Sequence, residues 1–149
     1  MTKKPFSYEE FKQIYSRIPR LCIDPIVRTQ GGVVLSLRKE GYGWGDQWHL
    51  PGGMLLYKET VEDGLRRVLR DEIGAEVSID KVLGYMEFHS EEKERGFGYS
   101  VSLVIVCDLV SGELRPDENA SEVRIFTELP ERMVEEHKIF LQEHWQDIF

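Results

Sequence analysis

The stretch that most constrains this chain runs from Leu50 to Ala75, LPGGMLLYKETVEDGLRRVLRDEIGA. Gly52 and Gly53 open it as a tight turn in which the backbone can pass close to a ligand. Thr60, with Asp63 three residues on, marks a helix start and Gly74 marks its end, so a helix is predicted over 61–73. On that helix Val68 and Glu72 lie one turn apart, and Asp71 adjoins Glu72. Two close carboxylates repel unless a cation or a proton separates them. Mg²⁺ suits oxygen ligands that also hold substrate phosphates. The plain alternative is a solvated helix face, because Glu62–Arg66 and Asp63–Arg67 have the i, i+4 spacing of surface ion pairs.

The flanking segments say what this turn and helix are set into. Ser7 and Glu10 make a capping box for a helix over 7–18, with Tyr8, Phe11, Ile14, Tyr15 and Ile18 as its apolar stripe. LCIDPIVR and GGVVLSLRK read as strands around a turn at Gly31 and Gly32. EGYGWGDQ is a Gly-rich loop, and WHL is a short strand leading into the Gly52 turn. Further on, EVSIDKVLGYMEFHS, YSVSLVIVCDLV and EVRIFTEL read as strands, separated by the charged loops SEEKERGFG and SGELRPDENAS. A last helix is expected from Pro130, with Met133, Val134, His137, Phe140, Leu141, His144, Trp145 and Ile148 along one face. Helix, strands, helix, strands, helix, with no repeat and no linker, predicts an α/β fold: one domain over 1–149, a mixed sheet covered by helices on both faces.

Composition narrows the function. A net charge of -8 argues against binding nucleic acid, which needs a basic face to release counterions. No apolar run approaches the ~20 residues that span a bilayer, and MTKKPFSYEE lacks the apolar core of a signal peptide, so no membrane partner and a cytoplasmic location are expected. Cys22 and Cys107 lie in apolar runs and are expected as buried strand residues, not a disulfide or a nucleophile. His49 reads as a core histidine, and His137 and His144 as packing residues of the last helix. Trp44 either stacks on a nucleobase or caps the edge of the core.

The whole stretch resembles the Nudix hydrolase box, G-x5-E-x7-R-E-U-x-E-E-x-G-U with U a bulky aliphatic. Gly53, Glu59, Arg67, Leu69, Asp71, Glu72 and Gly74 stand in register, preceded by Trp48-His49-Leu50-Pro51-Gly52. The resemblance implies the Nudix fold, an α/β/α sandwich, and hydrolysis of a nucleoside diphosphate linked to a second moiety. It allots the Gly52 carbonyl and the carboxylates of Glu72 and Asp71 to Mg²⁺, or Mn²⁺ in its place, and has Glu59 hold Arg67 to brace the loop. Two positions depart: Val68 stands where the box has a Glu, and Ala75 where it has a larger aliphatic.

The GDP-mannose mannosyl hydrolase branch also lacks that Glu, and this chain is similar to it beyond the box. Asp24 stands where that branch has an Asp near the diphosphate, and Arg38 where it has a leaving-group arginine. LRPDENASEVRIF resembles the loop that supplies its third metal ligand and its base. Aligned on Pro116-Asp117-Glu118, the metal-binding amide falls on Asn119 and the catalytic His on Ala120; Met54 replaces an arginine. A general base must therefore come from elsewhere, with Glu118, Glu122 and His89 as candidates. The resemblance implies water attack on the sugar's anomeric carbon in a nucleotide sugar. The alternatives are attack at phosphorus in a nucleoside triphosphate or ADP-ribose, and a weakly catalytic nucleotide-binding domain. A homodimer is also expected, from the aromatic N-terminal helix and from the branch.

Overall fold

A computed structural model of the chain describes residues 4–149. The elements in chain order are α1 (Tyr8–Tyr15), β1 (Arg20–Thr29), β2 (Gly32–Arg38), β3 (Trp48–His49), β4 (Gly53–Met54), α2 (Val61–Ile73), β5 (Ala75–Glu87), α3 (Glu91–Arg95), β6 (Ser100–Gly112), β7 (Ala120–Phe126) and α4 (Glu135–Ile148). The strands form one sheet in the order β3-β2-β1-β6-β5, with β4 added to β1 and β7 to β2. β1 and β6 run parallel through its centre while the other pairings are antiparallel, so the sheet is mixed as expected.

Alternation along the central strands divides the core in two. Ile23 and Val27 of β1, with Ile105 and Cys107 of β6, meet Leu65, Leu69 and Ile73 of α2 on one face. Ile26, Val104 and Val106 meet Phe140, Leu141 and Ile148 of α4 on the other. The result is the α/β/α sandwich. Both cysteines are buried and free, and burial pushes the Cys22 thiol up to about 11 and that of Cys107 up to about 12, far from reactive thiolates.

α2 has the expected limits: Thr60 Oγ1 accepts the Asp63 N–H at 3.1 Å, and Gly74 closes the helix in the left-handed conformation. The α1 capping box is also present, but that helix ends at Tyr15, three residues early. The β1–β2 turn falls on Gln30 and Gly31, both at positive φ, one residue before the expected Gly31–Gly32 pair. The last helix begins at Glu135, not Pro130. Residues 132–134 instead bridge to Trp48, whose N donates to Arg132 O and whose carbonyl accepts from Val134 N. The charged loop 90–98 contains the short helix α3. On α1, Phe11 packs against Phe97 and Tyr15 of the same chain, while Tyr8 on the helix and Ile18 beyond its end are exposed. No helix among the described residues is long and apolar enough to cross a membrane.

Candidate active site

Strand alternation builds one wall. Arg20, Cys22 and Asp24 share the α4 face of β1, and Ser100 and Ser102 stand beside them in register on β6. They line an inner cavity of about 150 Å³ together with Arg38, Trp44, His49, Glu72, Arg95 and His137. Seven of these lining residues, including Arg20, Arg38, Gly52, Glu72 and Arg95, also bound an outer cavity of about 720 Å³ that reaches α1 and the 117–119 loop.

The Gly52 turn sits between the acidic groups. Its N–H donates to Glu72 Oε2 at 2.6 Å, and a Cβ at Gly52 would stand 2.2 Å from Asp24 Oδ1, so only glycine allows this approach. Burial pushes the Glu72 carboxyl up to about 8; Asp117 and Asp24 add to the rise, against the Gly52 N–H and Arg38. Glu59 takes Arg67 in a two-pronged ion pair at 2.7 and 2.9 Å, and Arg67 also donates to the Met54 carbonyl at 2.8 Å. The loop between Gly53 and α2 is thereby tied down.

The opposite wall is cationic. Arg38 is half-buried, its buried Nε has no hydrogen-bond partner among the described residues, and burial lowers its pKa. Arg20 donates to Ser100 Oγ at 3.1 and 3.2 Å and lies 3.5 Å from Glu91, which Arg95 approaches at 3.7 Å. Glu91, 1% exposed, thus lies between two guanidinium groups, while Arg38 pairs with no carboxylate among the described residues. Trp44 is 6.0 Å from both Arg38 and Arg95, donates its indole N–H to Ser90 and packs on the core edge. It therefore caps the core edge and also lines both cavities.

The expected site residues divide. Asp24, Arg38, Gly52, Gly53 and Glu72 meet at the inner cavity. Asp71, Glu118 and Asn119 line the outer one. Glu122 lines neither: it is half-buried on β7 and accepts from Arg124 Nε at 3.0 Å, because the β2–β7 pairing turns it away. His89 is exposed beside Tyr99 and also lines neither cavity. His49 is the backbone-bonded core histidine expected, 2.7 Å from the Leu50 carbonyl, and burial lowers its pKa to about 3. His144 stacks on Phe140. His137 does more than pack: it lines the inner cavity, with Nε2 2.8 Å from Asp24 Oδ2 and Nδ1 3.0 Å from Leu50 N. Arg20, Arg95 and His137 are the residues that sequence reasoning missed. For Arg20 a signal existed, since period-2 alternation puts it on the Asp24 face.

A divalent cation fits the donor chemistry: hard carboxylate oxygens, one of them destabilised as an anion by its neighbours. Among the described residues no three His, Cys, Asp or Glu side chains form a ready cage.

The NUDIX domain model matches residues 19–144 of the chain. The low-salt glycan biosynthesis protein Agl8 of Haloferax volcanii is 29% identical over 121 residues, 79% of this chain and 77% of that protein. An ADP-ribose pyrophosphatase of Methanocaldococcus jannaschii is 29% identical over 123 residues, 81% of this chain and 70% of that one. Among solved structures, a MutT protein from Methanosarcina mazei Go1 superposes with a TM-score of 0.73 at 18% identity, covering 87% of this chain and 95% of its own. With the box in place on α2 and its loop, and the family model covering most of the chain, this protein belongs to the Nudix family and is a Nudix hydrolase.

Proposed function

We propose that the substrate is a nucleoside diphosphate joined to a second moiety, specifically a nucleotide sugar, and that water attacks the sugar carbon. One observation carries this reading: a single cavity joins an oxygen-donor wall of Asp24, Gly52 and Glu72 to a guanidinium wall of Arg20, Arg38 and Arg95. A diphosphate needs both, cations against its own charge and carboxylates for the metal it brings.

When bound, Mg²⁺ or Mn²⁺ would neutralise charge on the diphosphate, held by the Gly52 carbonyl, Glu72, Asp71 and Asn119. The chain's own residues do the rest. Arg38, whose buried Nε is unpartnered among the described residues, meets the leaving diphosphate, with Arg20 and Arg95 adding positive potential. Asp24 borders the inner cavity beside the diphosphate. The larger outer cavity receives the nucleoside and the sugar. The glycan-related name of the Haloferax relative agrees with a sugar. Glu118, at the outer cavity, is a candidate proton acceptor. The exposed Tyr8 and Ile18 keep a homodimer within the proposal, readable by light scattering.

A second reading has its own support. Asp71 lines the outer cavity beside Glu72, which suits attack at phosphorus, and the Methanocaldococcus relative is named a pyrophosphatase. Hydrolysis of a nucleotide-sugar panel in ¹⁸O water with Mg²⁺ separates the two. Label in the released sugar supports carbon attack. Label in phosphate overturns it in favour of the second reading. Nucleotide binding without turnover at every metal concentration overturns both.

A further inference from the structure

The inner cavity contains a buried contact that none of these roles uses. His137 of α4 and Asp24 of β1 are each 5% exposed, and both line the cavity. His137 Nδ1 lies 3.0 Å from the Leu50 backbone nitrogen, and Nε2 lies 2.8 Å from Asp24 Oδ2. A backbone N–H can only donate, so Nδ1 must carry a lone pair. The ring hydrogen is therefore on Nε2 and is donated to Asp24. A doubly protonated ring would set two donors face to face at Leu50.

This bond decides how the carboxylate sits. With Oδ2 held by His137, Oδ1 turns toward Gly52, where an added Cβ would stand 2.2 Å from it. Oδ1 accepts from the Ser102 hydroxyl at 3.3 Å. The same ring grips Leu50, two residues before Gly52, so one side chain fixes both the carboxylate and the turn opposite it. The remaining polar groups here have other ties: Glu91 with Arg20, Arg95 and Ser100, and His49 with the Leu50 carbonyl.

We infer that His137 is a positioning residue for hydrolysis, acting by donating Nε2–H to Asp24 so that Oδ1 faces the substrate at the Gly52 turn. This rests on the proposed assignment of the cavity to a nucleoside diphosphate derivative. Both ring nitrogens of His137 are engaged with the protein, so its part is to orient a group that meets the substrate.

Two conservative variants separate its two bonds. In His137→Gln the amide nitrogen stands near the place of Nε2 and can donate to Asp24. In His137→Asn the shorter side chain reaches only as far as Nδ1, so it can accept from Leu50 but cannot reach Asp24. Steady-state hydrolysis of the best substrate of the wild-type panel, with Mg²⁺, is the readout. His137→Ala is expected to lower kcat by about 10- to 100-fold, the usual cost of losing an orienting partner. KM should stay within about threefold, since ground-state binding is untouched. His137→Gln should recover most of the lost kcat and His137→Asn little of it. Rescue by Asn equal to that by Gln would overturn the inference and reduce His137 to a brace of the Leu50 loop. So would wild-type kcat in His137→Ala. Nitrogen NMR of the wild-type imidazole gives a reading that needs neither turnover nor a folded variant. A neutral ring with hydrogen on Nε2 is expected, and hydrogen on Nδ1 overturns the inference even if the substrate proposal stands. If the panel shows no turnover but the ring is the Nε2–H form, the substrate reading alone has failed.

Discussion

Glu72 is the residue at which charge and hydrogen bonding can be separated. Its Oε2 accepts the Gly52 N–H, and glutamine offers an acceptor of the same reach. Glu72→Gln therefore keeps the loop contact and removes the negative charge. Hydrolysis should fall by on the order of 10²–10³, as when one electrostatic stabiliser of a transition state is lost. Measured as kcat/KM at saturating Mg²⁺, a mutant as fast as wild type would remove Glu72 from the metal. Resemblance to the box pointed to Glu72, Gly52 and Asp71, and resemblance to the mannosyl hydrolase branch pointed to Asp24 and Arg38; the fold lines one inner cavity with four of them and the outer cavity with Asp71. His137 was not legible, because its bond to Asp24 spans 113 residues and its own helix explains it as a packing residue. Arg95 was hidden likewise: EGYGWGDQ and SEEKERGFG show no sequence sign that Trp44 and α3 will meet. Glu122 failed for the opposite reason. Its loop motif pointed to the site, but the β2–β7 register governs where the side chain goes.

At the level of elements, α2 delivers the box, and its one unusual position can be tested in place. Val68 is 4% exposed, lines the outer cavity with Asp71 and Glu72, and stands 3.2 Å from the point a Cβ on Gly53 would occupy. Val68→Glu would add a carboxylate on the same side of the helix, one turn before Glu72. The Mg²⁺ concentration giving half-maximal activity should shift severalfold, because a third acidic group changes both local potential and ligand count. An activation curve identical to wild type would mean that side chain 68 faces away from the metal. α2 was readable to the residue because its cap, stop and stripe agree. α4 was not: Met133 and Val134 continue its apolar period, yet they are buried by pairing of residues 132–134 with Trp48, a tertiary constraint that periodicity cannot carry. α3 escaped because EEKER looks like a solvated run, whereas Glu91 is buried between Arg20 and Arg95.

Across the whole molecule, the layers followed from the order of helices and strands along the chain, but the central parallel pairing of β1 with β6 did not, since 80 residues separate partners such as Arg28 and Asp108. That pairing brings the site against the α4 core, and His49 joins the two. It is buried on β3, donates Nδ1–H to the Leu50 carbonyl at 2.7 Å, and its ring centre lies 6.4 Å from that of His137. Burial lowers its pKa to about 3, whereas the unfolded chain holds histidine near 6.5. Between these values the unfolded state binds the extra proton and the folded state does not, so this group makes stability rise with pH across the window. Its contribution is complete above about pH 6.5 and is lost as pH falls toward about 3, at roughly 1.4 kcal/mol per pH unit. Glu72 has the opposite slope, its raised folded pKa favouring the metal-free fold at low pH, so the net curve of the wild type does not isolate either group. His49→Asn does: its amide nitrogen stands near the place of Nδ1, so it keeps a donor for the Leu50 carbonyl, and it has nothing to titrate. Urea midpoints measured without metal at pH 7, 6 and 5 should show the gap between wild type and variant narrowing toward acid, with the variant losing less. Parallel curves would mean that His49 takes up its proton in the folded state as readily as in the unfolded chain, and that the sealed joint between the Gly52 turn and α4 admits water.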